Sequence, residues 1–85
     1  MNAELLSTGD AVTYGYYDGQ ELRKLPATVL RVTSYFLKLP ERVDLRVERP
    51  LGGSHEVRGV LVADDEVKFV ELAYFPSGAC VRGKP

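Results

Sequence analysis

Apolar and polar positions alternate along four short stretches of this chain. After the turn signal Gly9-Asp10, Val12, Tyr14 and Tyr16 alternate with Ala11, Thr13 and Gly15. A period of two marks a strand with one buried face. The second stretch opens at Pro26, where a missing N–H costs no ladder bond. It runs through Ala27-Thr28-Val29-Leu30-Arg31-Val32 to about Ser34, with an extension into Tyr35-Phe36 open. The third is the cleanest: Val43, Leu45 and Val47 face one way, Asp44, Arg46 and Glu48 the other. The fourth spans about Glu56 to Val62. Polar loops are expected over residues 17–24, around Asp18-Gly19, and over residues 37–42. The hairpin loop Arg49-Pro50-Leu51-Gly52-Gly53-Ser54 carries paired glycines able to take positive φ.

The same alternation suggests a register for the third and fourth strands. Pairing odd residues with odd keeps Val43, Leu45 and Val47 on the face of Val57 and Leu61. Setting Leu45 opposite Leu61 also brings Glu48 beside Arg58. Setting Leu45 opposite Gly59 would instead oppose Arg46 to Arg58, so the first register is preferred.

Residues 67–75, Val-Lys-Phe-Val-Glu-Leu-Ala-Tyr-Phe, admit two readings. Asp64 or Asp65 could cap a short helix with Val67, Val70 and Tyr74 on one face. The Val, Phe and Tyr content favours a fifth strand, with a bulge where the alternation slips between Phe69 and Val70. Pro76-Ser77-Gly78 then ends the element, and a short tail follows. The expected fold is all-β: a small five-stranded antiparallel, partly open barrel. It forms one domain over residues 1–85, with its core at about 9–75.

Size and charge narrow the function classes. A chain of 85 residues with a single cysteine has no disulfide framework and a small core. Such barrels often lean on a partner or on copies of themselves. Lys plus Arg total 11 against 12 Asp plus Glu, without the basic excess usual in a nucleic-acid-binding module. Met1-Asn2-Ala3-Glu4 lacks the basic start of an export leader, and no apolar run is long enough to span a membrane.

The element order resembles a Src-homology-3-like small barrel. Over about the first 34 residues, Gly9-Asp10-Ala11-Val12, Asp18-Gly19 and Ala27-Thr28-Val29-Leu30-Arg31-Val32 also resemble, more loosely, the KOW-type pattern of that superfamily. Over residues 9–62 the chain resembles small proteins encoded in the structural-gene region of tailed bacteriophages. Gly9-Asp10-Ala11-Val12-Thr13-Tyr14, Pro26-Ala27-Thr28-Val29-Leu30-Arg31-Val32 and Val43-Asp44-Leu45-Arg46-Val47 carry that likeness. It implies a virion-associated protein, either capsid decoration or a head–tail neck component. Its partners would be capsid or neck proteins, or copies of itself, and its location the virion. The KOW-like alternative implies a cytoplasmic module binding nucleic acid or a regulatory protein. Polyproline binding is not supported, because the aromatic groove of such domains normally includes a tryptophan and this chain has none. The barrel-type dihydrofolate reductases share the Gly-Asp-x-Val turn, but Val67-Lys68-Phe69-Val70 does not match their Val-Gln-Ile-Tyr segment.

No set of residues announces catalysis, a cofactor or a metal. His55 is the only histidine and Cys80 the only cysteine, far from it in sequence. A zinc site needs three or four ligands, and a nucleophilic thiol needs a base. Asp64-Asp65-Glu66 reads as a solvated turn, and Gly52-Gly53-Ser54 lacks the Lys and Ser/Thr of a phosphate loop. Arg31, Arg42, Arg46, Arg49 and Arg58 are interleaved with Asp44, Glu48 and Glu56, which reads as a mixed-charge ladder. For the nucleic-acid alternative the contacts would be Tyr16, Tyr17, Arg31, Arg46 and Arg58. The surplus of apolar side chains is more telling. Tyr35, Phe36 and Leu37, with Leu39, and the pair Tyr74-Phe75 are hard to bury in one small barrel. With Leu5 and Leu6 they are the candidate interface for protein–protein contacts.

Overall fold

The computed structural model describes residues 6–37 and 39–83. In chain order the elements are β1 (Ala11–Asp18), β2 (Glu21–Phe36), β3 (Leu39–Glu48), β4 (Ser54–Ala63), α1 (Glu66–Leu72) and β5 (Ala79–Arg82). The strands follow one another around a single sheet, and β5 returns to β1 to close it in a ring. Every junction is antiparallel except β4–β5, which is parallel with α1 as its crossover. The all-β, five-stranded expectation holds, with one parallel junction in place of a purely antiparallel meander.

Two corrections concern the C-terminal third. Residues 67–75, favoured as a strand over a short helix, lie in α1 and the turns after it. The fifth strand is built from the expected tail, with Ala79 and Cys80 fully buried. Local chemistry starts the helix: the Asp65 side chain accepts from the Lys68 N–H at 2.8 Å, and Glu66 lies in the first turn. Packing holds it. Phe69 is fully buried in a second small core with Ala63, Ala73 and Ala79. Its ring tip lies against Gly15, so close that a Cβ there would be 2.3 Å from the ring. Residues 75–78 then reverse the chain, with Gly78 N–H donating to Phe75 C=O at 2.8 Å.

Other boundaries move as well. The expected loop over 17–24 is mostly strand: β1 and β2 meet in a tight hairpin around Gly19-Gln20, with Tyr17 opposite Leu22. Pro26 therefore lies inside β2. It pairs with Thr13 of β1, but pairing with β3 begins only at Ala27 and Val47. The sheet has an edge at this position, where a proline is tolerated. Leu6 precedes β1 and is buried in the main core, so it belongs to the barrel interior rather than to an interface. Leu5 lies outside the described residues.

The β3–β4 register also differs from the expected one. Leu45 faces Val57 and Arg46 faces Glu56, while Val43 faces Val60 and Arg42 faces Leu61. A bulge between these pairs sets Asp44 against Arg58 and Gly59, and Gly59 adopts φ +67°. The extra residue swaps inside for outside, so Val60 is fully buried. The main core is Val12, Val29, Val43, Leu45, Val47 and Val60, with Tyr14 and Cys80 alongside.

Candidate functional site

β2 is longer than its partners, and its far half leaves the ring. β1 accompanies it only to Thr28, with two further backbone bonds between Val29 and the Gly9-Asp10 turn. β4 accompanies β3 only as far as Arg42, opposite Leu61. Beyond those points Ser34 pairs with Arg42, Tyr35 with Pro40 and Phe36 with Leu39 in a two-stranded arm. Three register shifts interrupt the β2–β3 ladder between Val29 and Tyr35. Thr33 Oγ1 donates to the Arg42 C=O at 3.2 Å, and Ser34 Oγ to Glu41 Oε1 at 3.2 Å. An isolated ribbon of this kind has little stability of its own.

The arm carries apolar side chains that nothing among the described residues covers. Tyr35, Phe36 and Leu37 are 61, 63 and 80% exposed, and Leu39 is exposed beside them. Leu37 stands at the tip with φ +53°, in the left-handed region that bulky residues avoid. A glycine would fit this turn at lower energy, so the tip keeps an exposed leucine at a conformational cost of about 1 kcal/mol.

Tyr74 and Phe75, also candidate interface residues, lie at the opposite end of the molecule. Tyr74 stacks on Tyr17, ring centroids 3.8 Å apart and nearly parallel. Tyr17 pairs with Leu22 near the start of β2, whereas Phe36 ends that strand. Burial first, and the neighbouring Tyr74 hydroxyl second, push the Tyr17 phenol above its ordinary value. The candidate interface is thus divided between two ends: the arm, and the outer side of α1 with its following turn.

The arginines proposed for nucleic acid are engaged differently. Asp44 is buried, and its Oδ1 accepts from the Gly59 N–H of the bulge at 3.0 Å, while Arg42 donates to the Gly59 C=O at 3.1 Å. Arg31 bonds to Asp44 and also to Glu56 at 3.1 Å, and Arg58 bonds to Glu56 at 3.0 Å. Burial alone would raise the Asp44 carboxyl, but the Gly59 N–H and the Arg31 guanidinium outweigh it and hold the group below its ordinary value. The hydrogen bonds from Arg31 and Arg58 lower Glu56 in the same sense. This mixed-charge ladder clamps the bulge. Arg46 is exposed between Thr28 and Glu56. Tyr16 is half-buried, its ring 5.7 Å from that of Tyr14. Tyr16 and Tyr17 pair with Arg23 and Leu22, far along β2 from Arg31, so the sheet does not bring stacking and charged candidates into one track.

Cys80 is fully buried, and burial pushes its thiol up to about 12. His55 accepts from Arg49 Nε at 3.2 Å beside the β3–β4 turn. Among the described residues no cluster of three or more His, Cys, Asp or Glu side chains could hold a metal ion. No helix among them is long and apolar enough to cross a membrane. Sequence reasoning found the exposed apolar residues of the arm and the Tyr74-Phe75 pair by their surplus; Val67 and Val70, placed with Tyr74 on one helical face only in the less favoured reading, are exposed on α1 but were not among the candidate interface residues. No protein-family model matches the chain, and neither a curated protein nor a solved structure is significantly similar to it.

Proposed function

We propose that this chain is a non-enzymatic assembly module that docks on protein surfaces through the β2–β3 arm. One observation carries the reading: a two-stranded ribbon beyond the reach of β1 and β4 whose end exposes Tyr35, Phe36, Leu37 and Leu39 together. Aromatic and large aliphatic groups clustered on a projection bury well in a complementary pocket, at about 25 cal/mol for each Å² removed from water. The left-handed Leu37 supports the same reading, since that leucine weakens the free fold. The concrete form is a tailed-phage virion component, a capsid decoration or neck protein, supported by the strand patterns of residues 9–62. Arg31 and Arg58 are already paired with carboxylates, which favours protein over nucleic acid as the partner.

The test is a photo-crosslinking amino acid at Leu37, used in the native source, together with quantitative mass spectrometry of any virus particles it yields. A defined protein adduct is expected. Copy number comparable to the major shell protein would mean decoration, and a few copies would mean neck. Adducts to nucleic acid would overturn the docking reading in favour of the intracellular module. Absence from particles would overturn the virion form.

A further inference from the structure

The described tyrosines occupy three different settings. Tyr35 is exposed on the arm, with no ring stacked on it among the described residues. Tyr14 and Tyr16 lie 5.7 Å apart with planes tilted by 25°, and Tyr14 is buried, its hydroxyl donating to the Ser77 C=O at 3.4 Å. Tyr17 and Tyr74, more than fifty positions apart in sequence, face each other with centroids 3.8 Å apart and planes 6° from parallel. That separation is close to carbon–carbon contact, about 3.5–4.0 Å, so the rings have little sideways offset. Ring quadrupoles disfavour such a sandwich, and aromatic pairs left to themselves slide apart or turn edge-on. Here the fold imposes it.

Both sides of the sandwich are pinned. Tyr17 stands opposite Leu22 in the β1–β2 hairpin, and both pack on the second core around Phe69. Tyr74 lies in the turn after α1, where its N–H donates to the Glu71 C=O at 3.3 Å and the Phe75 N–H to the Leu72 C=O at 3.0 Å. The Tyr74 hydroxyl neighbours that of Tyr17, so the rings point the same way and their Cε carbons face one another. Tyr74 is 68% exposed and open to an oxidant. The chain has no tryptophan and its single cysteine is fully buried, so no exposed indole or thiol competes for a one-electron oxidant.

We propose that Tyr17 and Tyr74 form an oxidative cross-linking site, at which a haem peroxidase with hydrogen peroxide joins the two rings by a Cε–Cε bond. Each phenol gives one electron and its hydroxyl proton to the oxidised peroxidase. The two phenoxyl radicals, already face to face, pair their electrons in the new carbon–carbon bond. Each bonded carbon then loses its proton and each phenolic oxygen regains one, which restores both hydroxyls. The pair ends two hydrogen atoms poorer, and one peroxide becomes two waters. A held, facing pair reacts without the encounter that two separate chains need. The product is a covalent staple between β1 and the turn after α1. It closes a long loop, so it restricts the unfolded chain and stabilises the closed end.

The full chain is treated at low concentration with a haem peroxidase and hydrogen peroxide, and followed by dityrosine fluorescence, intact mass and peptide mapping. The expected product is a single chain lighter by two hydrogen atoms, with the Tyr17 peptide joined to the Tyr74 peptide. Its rate should not depend on protein concentration and should exceed the coupling of two chains through Tyr35 by at least about tenfold. Tyr17→Phe and Tyr74→Phe keep a ring in the stack and should each abolish the product, whereas Tyr35→Phe should leave it intact. The stapled chain should unfold at a higher urea midpoint than the untreated one. Mapping of the folded parent that finds no Tyr17–Tyr74 product overturns the proposal, whatever the variants do. A product that forms equally fast in the urea-unfolded chain overturns it too, and an unchanged urea midpoint overturns the staple.

Discussion

Phe69 and Phe36 are the same residue type at opposite ends of one barrel, with opposite fates. Phe69 is fully buried, while Phe36 is 63% exposed. The difference lies in what the chain returns to each end. At the Phe69 end, β4 leads into α1, α1 lays its ring in the gap left by Gly15, and β5 closes the sheet against β1. At the Phe36 end, β2 and β3 outrun their neighbours, and no element among the described residues pairs with them there. At the first end Phe69 is spent on the core, and at the second Phe36 stays exposed to solvent.

The largest expected effect breaks the closed end. Phe69→Ala should cost about 3–5 kcal/mol, read as a fall in the denaturant midpoint, because it empties the second core. Gly15→Ala comes next, at about 2–3 kcal/mol, since its methyl group would overlap the Phe69 ring. The two should couple: in a Phe69→Leu background the Gly15→Ala cost should fall by at least half, and equal costs in both backgrounds would show that the ring is not seated there.

Asp44→Asn probes the clamp between the two ends, at about 2 kcal/mol, because the bulge keeps its hydrogen bond but Arg31 loses the buried one of its two carboxylate partners. The pH dependence sharpens this. The folded Asp44 and Glu56 carboxyls lie below their ordinary values of 3.8 and 4.5, so the unfolded chain binds protons first as pH falls. Their contribution is complete above the ordinary carboxylate range and is lost as pH drops through the folded values. Urea midpoints measured from neutral pH down to acid should decline in that range for the parent, and less steeply for Asp44→Asn.

The smallest effect on stability belongs to the arm, and its sign is opposite. Leu37→Gly relieves the left-handed strain and should raise stability by up to about 1 kcal/mol, while weakening any contact made through the tip. A loss of stability instead would show that the leucine packs within its own chain.

Much of the framework was legible because burial on one face imposes a period of two. Val43, Leu45 and Val47 are all buried as the alternation required, and the four stretches became four strands. The apolar surplus at Tyr35-Phe36-Leu37 and Tyr74-Phe75 was legible for a related reason: a small barrel lacks the interior to hold it. The β3–β4 register was misread because one glycine at φ +67° shifts every later residue to the other face, and alternation alone carries no mark of that shift.

Local pattern therefore determined the sheet-forming stretches, the turn glycines and the apolar residues in excess of the core. Tertiary structure decided how each was used. Residues 67–75 have strand-like composition, yet they form a helix because Asp65 caps them and Phe69 finds the space at Gly15, a residue more than fifty positions earlier. Ala79-Cys80-Val81-Arg82 are too few to declare themselves a strand, yet they become one because β1 and β4 both present open edges to them. Propensity differs by about 1 kcal/mol between residue types, whereas burying one phenylalanine is worth about 2–3 kcal/mol, so distant packing overrules local preference here.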